Sequence, residues 1–131
     1  MPLTCIVVTP EATALEQEAD FIALPLYDGE IGIAPGHSPM IGRLGYGEMR
    51  VRRGGEVSRY YVDGGFVQVA SDVVSVLTNR AVPAGQLNVQ AASEQLAAAR
   101  SKVASSEEAL AIRERQVTQA RAQLRVAERA H

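Results

Sequence analysis

With 131 residues, 47% of them hydrophobic and 21% charged, the chain has the balance of a folded protein with room for one ordinary core and a small appendage. A net charge of −2, aromatics at 5% and no Trp exclude nucleic acid as the main partner, since phosphates want a basic surface and bases want stacking platforms. The single cysteine, Cys5, excludes an internal disulfide; with no signal peptide, transit peptide or spanning stretch visible, a reducing compartment and membrane association only through a partner are expected.

Strands come first along the chain. LTCIVVT, DFIALPLY, GEIGIA, GEMRVRR, EVSRYYVD, FVQVA and VVSVLT are short runs rich in β-branched and aromatic residues. Cys5, inside the first run, reads as a buried strand thiol rather than a reactive one. Asp28-Gly29, Pro35-Gly36, Gly54-Gly55, Gly64-Gly65 and Ser71-Asp72 supply turns, and Gly54-Gly55 reads as a tight hairpin. Ten of the eleven glycines lie between Gly29 and Gly65, which confines this punctuation to one half of the chain. Many short strands with closely spaced turns predict an antiparallel β-sandwich, or flattened barrel, over residues 1–84.

Near Pro83 the character changes. From Gln86 onward there is no Gly or Pro, and Ala dominates. Val89, Ala92, Leu96, Ala99 and Val103 step by three and four, as do Val117, Ala120, Leu124 and Ala127, which is the period of helical stripes. Between the stripes, Ser105 and Glu108 have capping-box spacing for a second helix. An antiparallel two-helix hairpin over residues 85–131 is therefore expected, in an α+β chain; one long helix running through the serines is the alternative. An Ala seam buries little area, so such an arm is a candidate for opening toward another partner. Residues 1–85 carry six basic and ten acidic groups, a balance of −4, and residues 86–131 carry seven and five, or +2. Opposite signs suit halves that meet different partners.

The stretch DGEIGIAPGHSPMI, residues 28–41, concentrates the polar chemistry. His37 and Ser38 are adjacent, so in extended chain their side chains diverge and make a poor nucleophile–base pair. Asp63 or Asp72 would have to complete a triad, and no spacing asks for it. Two histidines, His37 and His131, with one cysteine have no metal-ligand spacing. Gly45-Tyr46-Gly47 leads into a strand, whereas a phosphate cradle leads into a helix. What remains is a Pro-braced loop displaying Glu30, His37, Ser38 and Met40, suited to recognition or to plain turn-making.

DGEIGIAPGHSPMIGRLGYGEMRV resembles the signature of the epsilon subunit of bacterial F-type ATP synthase. YYVDGGFVQVASDVVSVLTNRA and AQLRVAER resemble later segments of the same family, so the likeness spans essentially the whole chain. It implies a β-sandwich followed by two helices, in a non-catalytic rotor subunit of a proton- or sodium-translocating enzyme. By matching position, Glu30 would face the c-subunit ring, and His37, Ser38 and Met40 would lie near the gamma subunit or the rotor interface. The helices would fold on the sandwich or extend along gamma and restrain ATP hydrolysis. Arg121, Arg125 and Arg129 recur at spacing four, with Arg113 and Arg115 earlier; such a strip usually means a solvated face, and the resemblance points it at an acidic loop of the beta subunits. The implied location is peripheral, on the cytoplasmic face of the bacterial plasma (inner) membrane, with membrane contact only through the complex.

One departure from the family stands out. Members that bind ATP carry I/L-D-x-x-R-A at the start of the first C-terminal helix, where this chain has Leu87-Asn88-Val89-Gln90-Ala91-Ala92. Asn88 replaces the carboxylate and Ala91 the arginine, so no cofactor is expected, although Asn88 can still cap the helix. Arg121 and Arg125 lie where two phosphate-facing arginines could still sit. Two other classes compete with the rotor reading. A stand-alone sensor would close its arm on a small ligand without any partner, and a β-sandwich enzyme would need a cleft of groups with perturbed pKa.

Overall fold

The computed structural model describes residues 2–130, so His131 lies outside the described residues. Eight strands are followed by a short 3-10 turn and two helices. The strands are β1 (Leu3–Val8), β2 (Thr13–Ala19), β3 (Phe21–Leu26), β4 (Gly29–Ile33), β5 (Met40–Arg53), β6 (Glu56–Ala70), β7 (Val73–Leu77) and β8 (Ala81–Pro83). They are ordered β2-β1-β7-β6-β5-β3-β4, with β8 also paired to β6. All the pairings are antiparallel except β1 with β7.

The central pair, β5 and β6, is 14 and 15 residues long and runs through both halves of the sandwich. The sequence reading divides β6 at Gly64-Gly65 and gives β5 only from Gly47 onward; the structure keeps each whole. The glycines instead make a crease. In β5, Leu44 and then Met49 and Val51 are buried, and in β6, Val62 and then Val67 and Val69 are buried, so the inward parity flips within both strands. The flip falls where Leu44 pairs with Gly65. Gly65 has φ of 101°, and a Cβ there would overlap the Leu77 carbonyl oxygen, so only glycine fits. Gly64-Gly65 is a fold line within a strand and not the turn that the sequence suggests.

The true turns obey their chemistry. Ser71 and Asp72 both have positive φ, 51° and 60°, as a two-residue hairpin loop between β6 and β7 requires. Gly54-Gly55 closes the β5–β6 hairpin, with Arg53 opposite Glu56. Strands β2 and β8 carry no strand signal in the sequence: TALEQEA is short of β-branched residues, and its pairing with β1 overrides that propensity.

The core between the layers is aliphatic. Leu3, Cys5 and Val7 of β1 meet Ile22, Leu24, Ile33 and Met49, with Val62, Val67 and Val69 of β6 and Val74 and Val76 of β7, all buried. Burial pushes the Cys5 thiol up to about 11, which leaves it a neutral packing group.

Helix α1 (Val89–Ser101) and helix α2 (Glu107–Ala130) form the expected hairpin. Asn88 caps α1, its side chain accepting from the Ala91 N–H at 2.9 Å. The second cap is Ser106 rather than Ser105: its hydroxyl accepts from the Ala109 N–H at 3.1 Å, so the Ser105–Glu108 capping box does not form. Val103 lies beyond the end of α1 and is 93% exposed, because Lys102 already terminates the helix. The seam is thin, with Ala92, Leu96 and Ala99 of α1 buried and Ala120 of α2 opposite. Helix α2 has a second buried face. Ala122, Val126 and Ala127 cover Tyr61, Ala84 and Leu87 on the outside of the sandwich.

Candidate functional site

The parity flip at the crease gives the sandwich two different outer faces. On the β1-β7-β6-β5 side, register places Val8, Leu77, Phe66 and Arg43 in one row across four strands. The Arg43 guanidinium lies 5.6 Å from the Tyr27 ring centre, extending the row to the β3–β4 turn. Leu77, Phe66 and Tyr27 are 50%, 57% and 66% exposed, and Ile41, two residues from Arg43 along β5, is 74% exposed. A groove of about 830 Å³ runs beside them, lined by Val8, Pro10, Arg43, Phe66, Leu77 and Asn79 among others. An apolar row of this size on an open sheet face marks an interaction surface.

Sequence reading missed these residues, yet a signal exists. In FVQVA and VVSVL the buried valines already occupy the inward positions, which leaves Phe66 and Leu77 as large apolar groups at outward ones.

The loop at residues 34–39, next to the β6–β7 turn, is pinned by the Gly36 N–H, which donates to Asp72 Oδ1 at 2.8 Å. The His37 ring donates through Nδ1 to the Ser38 carbonyl at 2.8 Å, so the imidazole is spent on backbone. Asp63 accepts from Tyr61 and Gln119 and is not part of this loop. No nucleophile, base and orienting acid come together here. Ser38 is exposed, while Met40 is half-buried and packs on the core. Glu30 is separate from the loop: it sits near the start of β4, and His37 follows that strand's other end. Its carboxylate grips Arg50 through two contacts, Nη2 to Oε1 at 2.7 Å and Nη1 to Oε2 at 3.2 Å. That bond, with the charges of Arg50 and Arg129, holds Glu30 below the usual carboxylate range.

On the other outer face lie Tyr46, Glu48 and Arg50 of β5 beside Arg59, Tyr61 and Asp63 of β6. Helix α2 covers the middle of it. The Tyr61 hydroxyl donates to Asp63 Oδ1 at 2.9 Å, and Gln119 of α2 donates to the same oxygen at 3.0 Å. Burial first, and then the Asp63 charge, push the Tyr61 phenol above its ordinary range.

The five arginines of α2 do not form one group. Arg115, Arg121, Arg125 and Arg129 are exposed, whereas Arg113 is half-buried and donates to the Arg100 carbonyl at 2.8 Å. Arg129 alone reaches the sandwich, 3.8 Å from Glu48. At the start of α1, the Asn88 side chain is committed to its cap, Leu87 is buried under α2, Ala92 is buried in the hairpin seam, and Ala91 is exposed.

The fold is thus a β-sandwich that carries a folded two-helix hairpin on one outer face and an open apolar row on the other. Residues 2–84 match the family model described as the ATP synthase delta/epsilon chain, beta-sandwich domain. The chain is 50% identical over 125 residues to an ATP synthase epsilon chain of Rhodopirellula baltica, covering 95% of this chain and 98% of that one. It is 36% identical to that of Rubrobacter xylanophilus over 72% of this chain and 64% of that one. In fold it is similar to a chain in the mitochondrial ATP synthase of Euglena gracilis, solved as OSCP/F1/c-ring, with TM-score 0.86, 24% identity and coverage of 97% and 81%. A chain of the central stalk and c ring of the Tetrahymena thermophila enzyme aligns with TM-score 0.75 at 12% identity, covering 97% of each. The chain belongs to the family of ATP synthase epsilon chains. Among the described residues no helix is long and apolar enough to cross a membrane.

Proposed function

We propose that this epsilon chain is a non-catalytic central-stalk subunit that joins gamma to the c ring of a proton- or sodium-translocating ATP synthase. In this reading residues 1–84 dock and residues 85–131 form a regulatory arm that restrains ATP hydrolysis through the beta subunits. The enzyme would sit on the cytoplasmic face of the bacterial plasma membrane, with this subunit held there only by its partners.

The observation that carries the reading is the outward apolar row Leu77–Phe66 with Ile41, left open while the other outer face is covered by α2. A rotor contact must transmit torque without slipping, and a broad apolar strip beside a groove offers that where single polar contacts do not. Gamma is the occupant that family membership favours. Glu30, on a different edge, is available for the polar loops of the c ring, and His37 and Ser38 for the rotor interface.

Phe66→Glu and Leu77→Glu test this. Both side chains point away from the core, so the isolated variants should keep the wild-type melting temperature within a few degrees. Binding to gamma should fall at least about tenfold, as expected for loss of a central apolar anchor. Wild-type binding by both variants would sink the assignment of this face.

A further inference from the structure

The charged cluster beneath the last turns of α2 has no part in the docking just described. Glu48 projects outward from β5, yet its side chain is only 4% exposed, because α2 lies over it. Three guanidinium groups converge on Oε1: Arg59 at 2.8 Å and Arg50 at 3.4 Å from the sandwich, and Arg129 at 3.8 Å from the arm. Oε2 is buried and accepts no hydrogen bond among the described residues. Arg50 also grips Glu30, reaching past β3 where Ala23 leaves room.

Charge counting fixes the sign of the arm's effect. Without the arm, the carboxylates of Glu30 and Glu48 balance the guanidinium groups of Arg50 and Arg59. Arg129 therefore docks onto a neutral cluster and takes the nearest carboxylate. Remove the Glu48 charge, and Arg129 approaches a cluster with one positive charge in excess, in a site that α2 itself shields from water. The apolar contacts of Ala122, Val126 and Ala127 hold the helix, but they carry no sign and do not distinguish these cases.

We propose that Glu48 is the latch that keeps the helical arm folded on the sandwich, and that Arg50 ties the state of this latch to Glu30. The proposal rests on reading the arm as a mobile regulatory element, and it makes Glu30 sensitive to whether the arm is home. When Arg129 leaves, Glu48 draws more fully on Arg50, and Glu30 loses part of its counter-charge. A surface meant for the c ring thus becomes more negative only when the arm is free to restrain hydrolysis.

Amide hydrogen exchange on the full-length isolated subunit reads the latch directly, through protection of the last three turns of α2. Arg129→Gln should speed exchange there about threefold, in keeping with a partly exposed ion pair. Glu48→Gln should speed it about tenfold, since with Arg50 still paired to Glu30 it leaves the Arg59 and Arg129 guanidinium groups without a carboxylate under the helix. The double variant should exchange no faster than Glu48→Gln alone, because one partner is already gone. In Arg129→Gln the Glu30 carboxyl should titrate higher than in the wild type, followed by NMR. Unchanged exchange in Arg129→Gln, or effects of the two substitutions that multiply independently, would overturn the latch. An unmoved Glu30 titration would overturn its link to Glu30. Arg129 is 59% exposed, so its variant remains decisive even should Glu48→Gln not fold. Faster exchange with unchanged ATP hydrolysis by the assembled enzyme would uphold the latch while removing the regulatory role of the arm.

Discussion

Met40, His37 and Glu30 lie within eleven positions of one another, yet they differ in what holds them. Met40 is half-buried against the core, so Met40→Ala should cost about 1–2 kcal/mol, less than the roughly 2–5 of a fully buried methionine. His37 bonds only to its own loop, and His37→Ala should change stability by less than about 0.5 kcal/mol. Glu30→Ala removes a half-exposed pair with Arg50, worth at most about 1 kcal/mol. Denaturant unfolding of the three isolated variants ranks them. Assembly onto the rotor should fall for Glu30→Ala and His37→Ala despite their intact stability. A Met40 variant as stable as wild type would return that side chain to the interface, where the sequence motif alone had put it.

The helices add a different kind of stability from the strands. Each strand of the sandwich is locked by neighbours on its ladder, whereas the arm rests on the sandwich through small residues, the Gln119 bond to Asp63 and the ion pair of Arg129 with Glu48. Truncation after Ala84 should leave the sandwich folded and bound to gamma, with ATP hydrolysis by the assembled enzyme at least as fast as before. Replacing Arg121, Arg125 and Arg129 together with Ala should move hydrolysis the same way. The truncation also uncovers Tyr61, whose phenol is raised by burial under α2. A folded pKa above the ordinary value of 10.0 means that this group's contribution is intact below pH 10 and is lost as pH climbs through the folded value. Alkaline titration followed by absorbance should therefore show one more of the four tyrosines ionising near pH 10 in the truncated chain than in the full one. Identical titration curves, or unaltered hydrolysis, would make the arm a fixed structural piece.

For the molecule taken together, the start of α1 offers no charged side chain at the two positions of the nucleotide motif, Asn88 and Ala91. Asn88 spends its side chain on the α1 cap, and Ala91 has none to offer, where ATP-binding relatives would carry Asp and Arg. A lost charge-assisted bond costs roughly 1.5–3 kcal/mol, and each 1.4 kcal/mol is tenfold in affinity. Calorimetry of the isolated subunit with MgATP should give no binding, or a Kd near or above ~1 mM. Saturable micromolar binding would show that Arg121 and Arg125, both exposed in the folded arm, suffice for phosphate. Without such binding, the arm answers to its protein neighbours rather than to the level of ATP.

Local chemistry made much of this readable. Valine-rich runs, the change of period after Pro83 and the Asn88 cap are short-range effects, and the family motif spans residues 28–51 without help from folding. Long-range pairing decided the rest. Strand β2 exists because β1 offers it an edge, and Gly64-Gly65 folds within a strand because β5 and β7 flank it on both sides. Local alternation puts Phe66 and Leu77 at outward positions, but only the assembled ladder aligns them with Val8 and Arg43 in one row. Glu48 is the clearest case. In GEMRVRR it reads as one more exposed strand carboxylate, and only packing of a helix some 80 residues later turns it into a buried group clasped by three arginines. Burial and charge pairing belong to contacts between distant segments, and no local pattern encodes them.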